Sequence, residues 1–141
     1  MGFGLKRADL QSLAQARFDD SLFLWQGRRY SSAYYLAGYA VELGLKACIS
    51  RQVFAETIPD KYFLNTALTH SFDKLIGLAG LRTDFDQEIR NNSNFAASWA
   101  IINEWTPDSR YEVHDKSAAQ FLIEAIGNEK NGLLPWIKTH W

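Results

Sequence analysis

The sequence predicts an all-α protein, a single-domain, up-and-down bundle of about five helices over residues 1–141. Three observations predict it. Apolar residues recur at helical spacing through long stretches, no stretch alternates with the period of two of a half-buried strand, and glycine or proline stands where each helical pattern fails. The 141 residues, 47% hydrophobic and 22% charged, are enough for one core without disulfides or metal.

The first helix is expected from Leu5 to Gln26, with Leu10, Leu13, Ala14, Arg17, Phe18, Ser21, Leu22 and Trp25 on one broad side and Gly27 as its stop. The turn "GRRY" leads into a central helix from Ser31 to Ser50, with Ser31 and Ser32 as candidate caps. So short a connection makes the two helices antiparallel neighbours. "AETIPDKYFLNTALTH" holds Pro59 and mixed polarity, and reads as a loop with at most one helical turn. "THSFDKLIGLAG" follows as a short helix, capped by Thr69 or Ser71, with Phe72, Leu75, Ile76 and Ala79 on its apolar side and Gly80 as its stop. A fourth helix is expected from Asp84 to Glu104, turning Phe85, Ile89, Phe95, Ala96, Trp99 and Ile102 inward; its Asn91-Asn92-Ser93-Asn94 cluster has low helix propensity and is a candidate break. "WTPDSRYEVH" ends that periodicity, since Pro107 does not continue a helix. A fifth helix runs from Asp115 to Ile126, with Ala118, Phe121, Leu122, Ala125 and Ile126 inward, and "LLPWIKTHW" adds a last helical segment with Pro135 near its start.

The central helix carries the strongest functional signal. With side chains about 100° apart, its apolar residues cover most of the circumference. One narrow seam is left, Tyr35, Tyr39, Glu42 and Lys46, at spacings of four, three and four. Glu preceding Lys by four residues stabilises a helix by only about 0.2–0.5 kcal/mol, and the tyrosines also suit ordinary bundle packing. Periodicity alone leaves the seam either a packed edge or the border of a pocket or subunit interface. Gly38 and Gly44 in the same helix predict neighbours that leave no room for a side chain, because a helical glycine costs about 0.5–1 kcal/mol relative to alanine.

Composition excludes several classes. A formal net charge of −1 gives no broad basic field for nucleic acid, so any contact with phosphate is local. Cys48 is the only cysteine, which excludes an internal disulfide and a thiolate cluster; on the apolar arc of its helix it is a small core residue. No His, Asp and Glu set has metal-ligand spacing and no glycine-rich phosphate loop occurs, so neither metal nor cofactor is expected. The run 33–49 is interrupted by Glu42 and Lys46 and falls short of a bilayer span, and the N-terminus lacks the apolar core of a secretory signal; the expected location is cytoplasmic.

"GRRYSSAYYLAGYAVELGLKACI", then "THSFDKLIGLAG", then "DSRYEVH" together resemble the HEPN domain, also described as a nucleotidyltransferase substrate-binding domain. The features are an aromatic-containing turn before a helix rich in small residues, Glu42 and Lys46 one turn apart, His70 opening the next short helix, and Arg110-Tyr111 after the long fourth helix; they cover roughly residues 13–126. The resemblance implies a bundle that is usually a homodimer, with a cleft near the central helices. It further implies either a nucleotide-binding partner of a small nucleotidyltransferase or a metal-independent endoribonuclease, often a toxin or immunity effector.

On the first reading Tyr39, Glu42, Lys46, Arg110 and Tyr111 form the cleft: Lys46 and Arg110 meet phosphate, Tyr39 or Tyr111 stacks on a base, and Glu42 orients Lys46. On the second, Arg110 clamps the phosphate and His114 is the base that takes the ribose 2′-hydroxyl proton. The family's ribonucleases place about four to six residues between Arg and His, whereas here only Tyr111, Glu112 and Val113 intervene. A third reading is a non-enzymatic helical interaction or regulatory module, antitoxin-like, with the tyrosine seam as its interface.

Overall fold

The computed structural model describes residues 4–141; the first three residues of the expected domain lie outside it. Among the described residues there are eight α-helices and no strand: α1 Arg7–Gln26, α2 Tyr30–Ser50, α3 Lys61–Ala67, α4 Phe72–Leu78, α5 Arg82–Asn91, α6 Ser93–Ile102, α7 Lys116–Gly127 and α8 Leu133–Lys138, with a 3₁₀ turn at Pro107–Tyr111 between α6 and α7.

The all-α expectation holds, while the helix count exceeds the expected five for identifiable reasons. Within the stretch read as a loop, Asp60 accepts a hydrogen bond from the Phe63 amide at 2.7 Å and so starts α3. The long fourth helix is broken at Asn92, whose φ and ψ of −133° and 97° are not helical. Its side chain caps α6 through the Phe95 amide at 3.1 Å and donates to Glu88 and Asn131, both at 3.1 Å. Three bonds from one short amide over-determine the break.

Helix α2 is the hub. It packs against α1, α4, α7, α8 and the 3₁₀ turn, and thirteen of its residues are buried, from Ala33 to Ile49. It meets α1 as an antiparallel hairpin whose turn puts Arg28 in the left-handed region at φ 62°. At that contact Ala14 and Ser21 are fully buried, whereas Leu13 and Leu22, expected inward, stay more than a third exposed. Neither Ser31 nor Ser32 caps α2. The Ser31 hydroxyl accepts from the His114 amide at 2.9 Å and fastens the 105–114 segment to the start of the helix.

The expectation of close neighbours is met at Gly38 and, less tightly, at Gly44. A Cβ at Gly38 would stand 2.2 Å from the Trp105 indole, and one at Gly44 would stand 3.2 Å from Ile137. Gly80 has φ 74° and closes α4, with Leu81 donating to the Ile76 carbonyl and Gly80 to that of Gly77. In α7 the buried line is Ala119, Leu122, Ile123 and Ile126, at the spacing of one helix face. Phe121, expected inward, falls off that face and is exposed. Phe85 meets Phe95, Trp99 and Trp136 edge-on, joining α5, α6 and α8 into one aromatic cluster.

Candidate functional site

The seam residues lie where their spacing predicts, but Glu42 is no exposed edge. Its side chain is 2% exposed, with Oε2 3.3 Å from the Lys46 ammonium and Oε1 2.7 Å from His70 Nδ1. Burying a carboxylate is costly unless each oxygen is compensated, and here each oxygen faces a nitrogen. His70 stands just ahead of α4, where Ser71 caps the helix through the Lys74 amide and Phe72 is buried as an anchor. Those contacts fix the imidazole's approach to Glu42. A carboxylate only accepts, so Nδ1 carries the hydrogen, and Nε2 makes no hydrogen bond among the described residues.

Next along the seam, Tyr39 stacks on Tyr35 and Tyr35 on Trp105, with ring centroids 6.1 and 6.0 Å apart; Trp105 also lies parallel to Phe72 at 5.2 Å. Trp105 is therefore the wedge between α2 and α4, and its edge occupies the space that Gly38 leaves. Two tyrosines of α2, Tyr39 and Tyr34, titrate above the ordinary phenol value. Tyr39 is raised by burial first, then by the negative charges of Glu42 and Tyr35, with Arg17 opposing. Tyr34 is raised by burial and then by Glu104 and Glu112. Burial likewise pushes the Cys48 thiol up to about 11, in keeping with a core thiol.

Arg110 stands exposed on the 3₁₀ turn with its guanidinium carbon 4.9 Å from the centre of the Tyr111 ring. Its pKa is raised further, by polar contact with Tyr111 first and with Tyr35 more weakly. It sits between two concavities. One, of about 540 Å³, has His70, Phe72, Asn103, Trp105, Asp108 and Arg110 in its walls. The other, of about 470 Å³, is bordered by Ser31, Ser32, Tyr35, Ser109, Arg110 and Glu112.

The five expected binding residues thus do not share one cleft. Lys46 lines a third concavity, an apolar groove of about 1040 Å³ between α1, the end of α2 and α3, where Arg7 is the other charge. Tyr39 and Glu42 border none of these three, and Tyr111 projects outward at 76% exposure. His114 is separated from Arg110 more decisively. Its ring stacks on Tyr34 at 3.7 Å with an 11° tilt, and its side chain is 16% exposed. Nε2 is buried, 3.2 Å from Glu112 but without hydrogen-bond geometry, and the residue lines neither cleft beside Arg110.

Two contacts that build the candidate site escape the sequence. The bond from His70 to Glu42 joins residues 28 apart, and no spacing rule reaches that far. Nothing within "WTPDSRYEVH" singles out Trp105; the signal that points to it is Gly38, which demands a large neighbour without naming it. Among the described residues no group of three or more His, Cys, Asp or Glu is placed to hold a metal ion, and no helix is long and apolar enough to cross a membrane. No family model matches the chain, and no curated protein and no solved structure matches it.

Proposed function

We propose that the protein is a HEPN-like domain that binds the phosphate of a nucleotide or RNA in the cleft of about 540 Å³ bounded by His70, Trp105 and Arg110. The observation that carries this is Arg110: an exposed guanidinium at a cleft, beside the exposed Tyr111 ring. A planar cation next to a free aromatic face is what a phosphate and its base require, since the guanidinium forks onto phosphate oxygens and the ring accepts a base on its π-face. Glu42 serves this site through His70 as well as holding Lys46.

The test is binding of a short single-stranded RNA and of a nucleoside monophosphate, followed by fluorescence anisotropy and calorimetry over a range of salt. Arg110→Ala weakens binding and lowers the salt-dependence slope by about 1, the signature of one lost phosphate contact. Tyr111→Ala weakens RNA binding while leaving that slope unchanged. Equal affinity in wild type and Arg110→Ala would remove the site. The same reading carries a homodimer, measured by sedimentation velocity.

A further inference from the structure

We propose that the apolar groove between α1, the end of α2 and α3 binds one long-chain fatty acid, with its carboxylate on Lys46 and its acyl chain along α3. This groove is separate from the phosphate cleft at Arg110. Of about 1040 Å³, it has a buried floor, Leu10 of α1 and Ile49 of α2, and walls that are open to water. Leu64 is 49% exposed there and Leu68 75%, while Phe54, in the connection before α3, is 72% exposed. Large apolar side chains gathered round a buried apolar floor mark a surface that a ligand or partner covers. Helix α3 makes the same point. It has seven residues, packs closely only on α4, and buries none of its side chains. A helix so short is not stable by itself, yet its Phe63, Leu64 and Ala67 line the groove instead of a core.

The charges decide what covers it. Lys46 and Arg7 are the only charged residues in the lining, and no carboxylate stands among them. Arg7 makes no ion pair among the described residues. The Lys46 ammonium gives one of its three donors to Glu42 at 3.3 Å, which leaves two. The other polar side chain of the lining, Ser50, already donates to the Ala47 carbonyl at 2.6 Å. A peptide strand laid there would find almost no side chain to pair with its backbone, whereas an acyl chain asks for no hydrogen bonds along its length. A ligand with one anionic end and a long apolar body meets each of these features, and the volume stands at the upper end of the roughly 300–1,000 Å³ of small-molecule sites.

The test is calorimetry of the full chain with dodecanoate below its micelle-forming concentration, beside octanoate, decanoate and dodecanol. One dodecanoate per chain is expected, with affinity rising by up to about fourfold for each methylene added from octanoate upward, the mark of a buried alkyl chain. Dodecanol should bind at least about tenfold more weakly, because it brings no charge to Lys46; that comparison needs no variant. Lys46→Met keeps an apolar stem and should weaken dodecanoate at least about tenfold while leaving dodecanol within about twofold. Leu64→Glu, at an exposed position that the fold does not depend on, should abolish binding of both. Absence of dodecanoate binding, several molecules per chain, equal affinity for dodecanoate and dodecanol, or binding that survives Leu64→Glu would each overturn the proposal. So would flotation with phosphatidylglycerol vesicles without binding of monomeric dodecanoate, which makes this face a membrane contact. A wild-type dimer that binds no dodecanoate and that Leu64→Glu dissociates overturns it too, and makes the face a contact between copies of the chain.

Discussion

His70 and His114 both stand against α2, and their surroundings are opposite. His70 is more than half exposed, anchored at one nitrogen by a buried carboxylate and open at the other. His114 is nearly covered, stacked face to face on Tyr34 and tied through its backbone to Ser31. The residue nearest Arg110 in sequence is thus the one built into the core, and the residue 40 positions away is the one that shares its cleft. In a helical bundle the neighbours of a surface group are set by which helix ends meet, so sequence proximity is a poor guide to shared chemistry.

Trp105 holds the 105–114 segment against α2, and Gly38→Leu breaks that hold outright. The new side chain would enter the indole ring, a stacked and buried group with nowhere to turn, and the expected loss is about 3 kcal/mol or more, seen as a collapsed melting transition. Gly77→Ala is the control: open space surrounds that position, and stability should rise by about 0.5–1 kcal/mol. Equal melting temperatures for Gly38→Leu and wild type would refute the wedge.

His114→Ala sharpens the contrast. Losing the stack on Tyr34 should cost about 1 kcal/mol, a drop of about 4 °C in Tm, with RNA affinity unchanged. A loss of affinity without a loss of stability would reverse the roles assigned to the two histidines. Glu42→Leu should do the opposite. Lys46 and the exposed His70 can both rehydrate, so stability should stay within about 1 kcal/mol of wild type while RNA binding in the cleft beside His70 weakens.

The smallest effect is expected at high pH. Tyr39 and Tyr34 have folded pKa values above the ordinary 10.0, so the unfolded chain gives up their protons first. Stability from these groups is intact below pH 10 and falls as pH rises through the raised values. Thermal melts from neutral to strongly alkaline pH read this fall. Glu42→Leu removes the second cause of the Tyr39 shift, so its phenol should ionise at lower pH in ultraviolet difference spectra while Tyr34 does not move.

Helix positions were legible wherever apolar periodicity and a terminator coincide: α1 up to Gly27, α4 up to Gly80, and the break at the asparagine cluster. Helix α3 was not, because a capping aspartate in a polar, proline-containing stretch looks the same whether or not a helix follows it. Phe121 was misplaced because a residue at the border of an apolar face is turned in or out by what packs there, and α6 leaves it uncovered. The seam was legible as a line of polar groups, but lines say nothing about which element closes over them. The 3₁₀ turn carries Arg110 toward one cleft while Lys46 points into another groove, a division decided by tertiary packing alone.

The hub position of α2 has a consequence for how the chain is made. Its covering helices α7 and α8 end at Lys138, almost 90 residues after α2 itself. At about 5–20 residues per second, a nascent chain carries this helix for roughly 5–20 seconds with only α1, then α4 and then the 3₁₀ turn against it. During that interval the face of α2 that carries Gly44 and Cys48, which later meets Ile137 of α8, is bare, which makes early termination before α7 a route to aggregation.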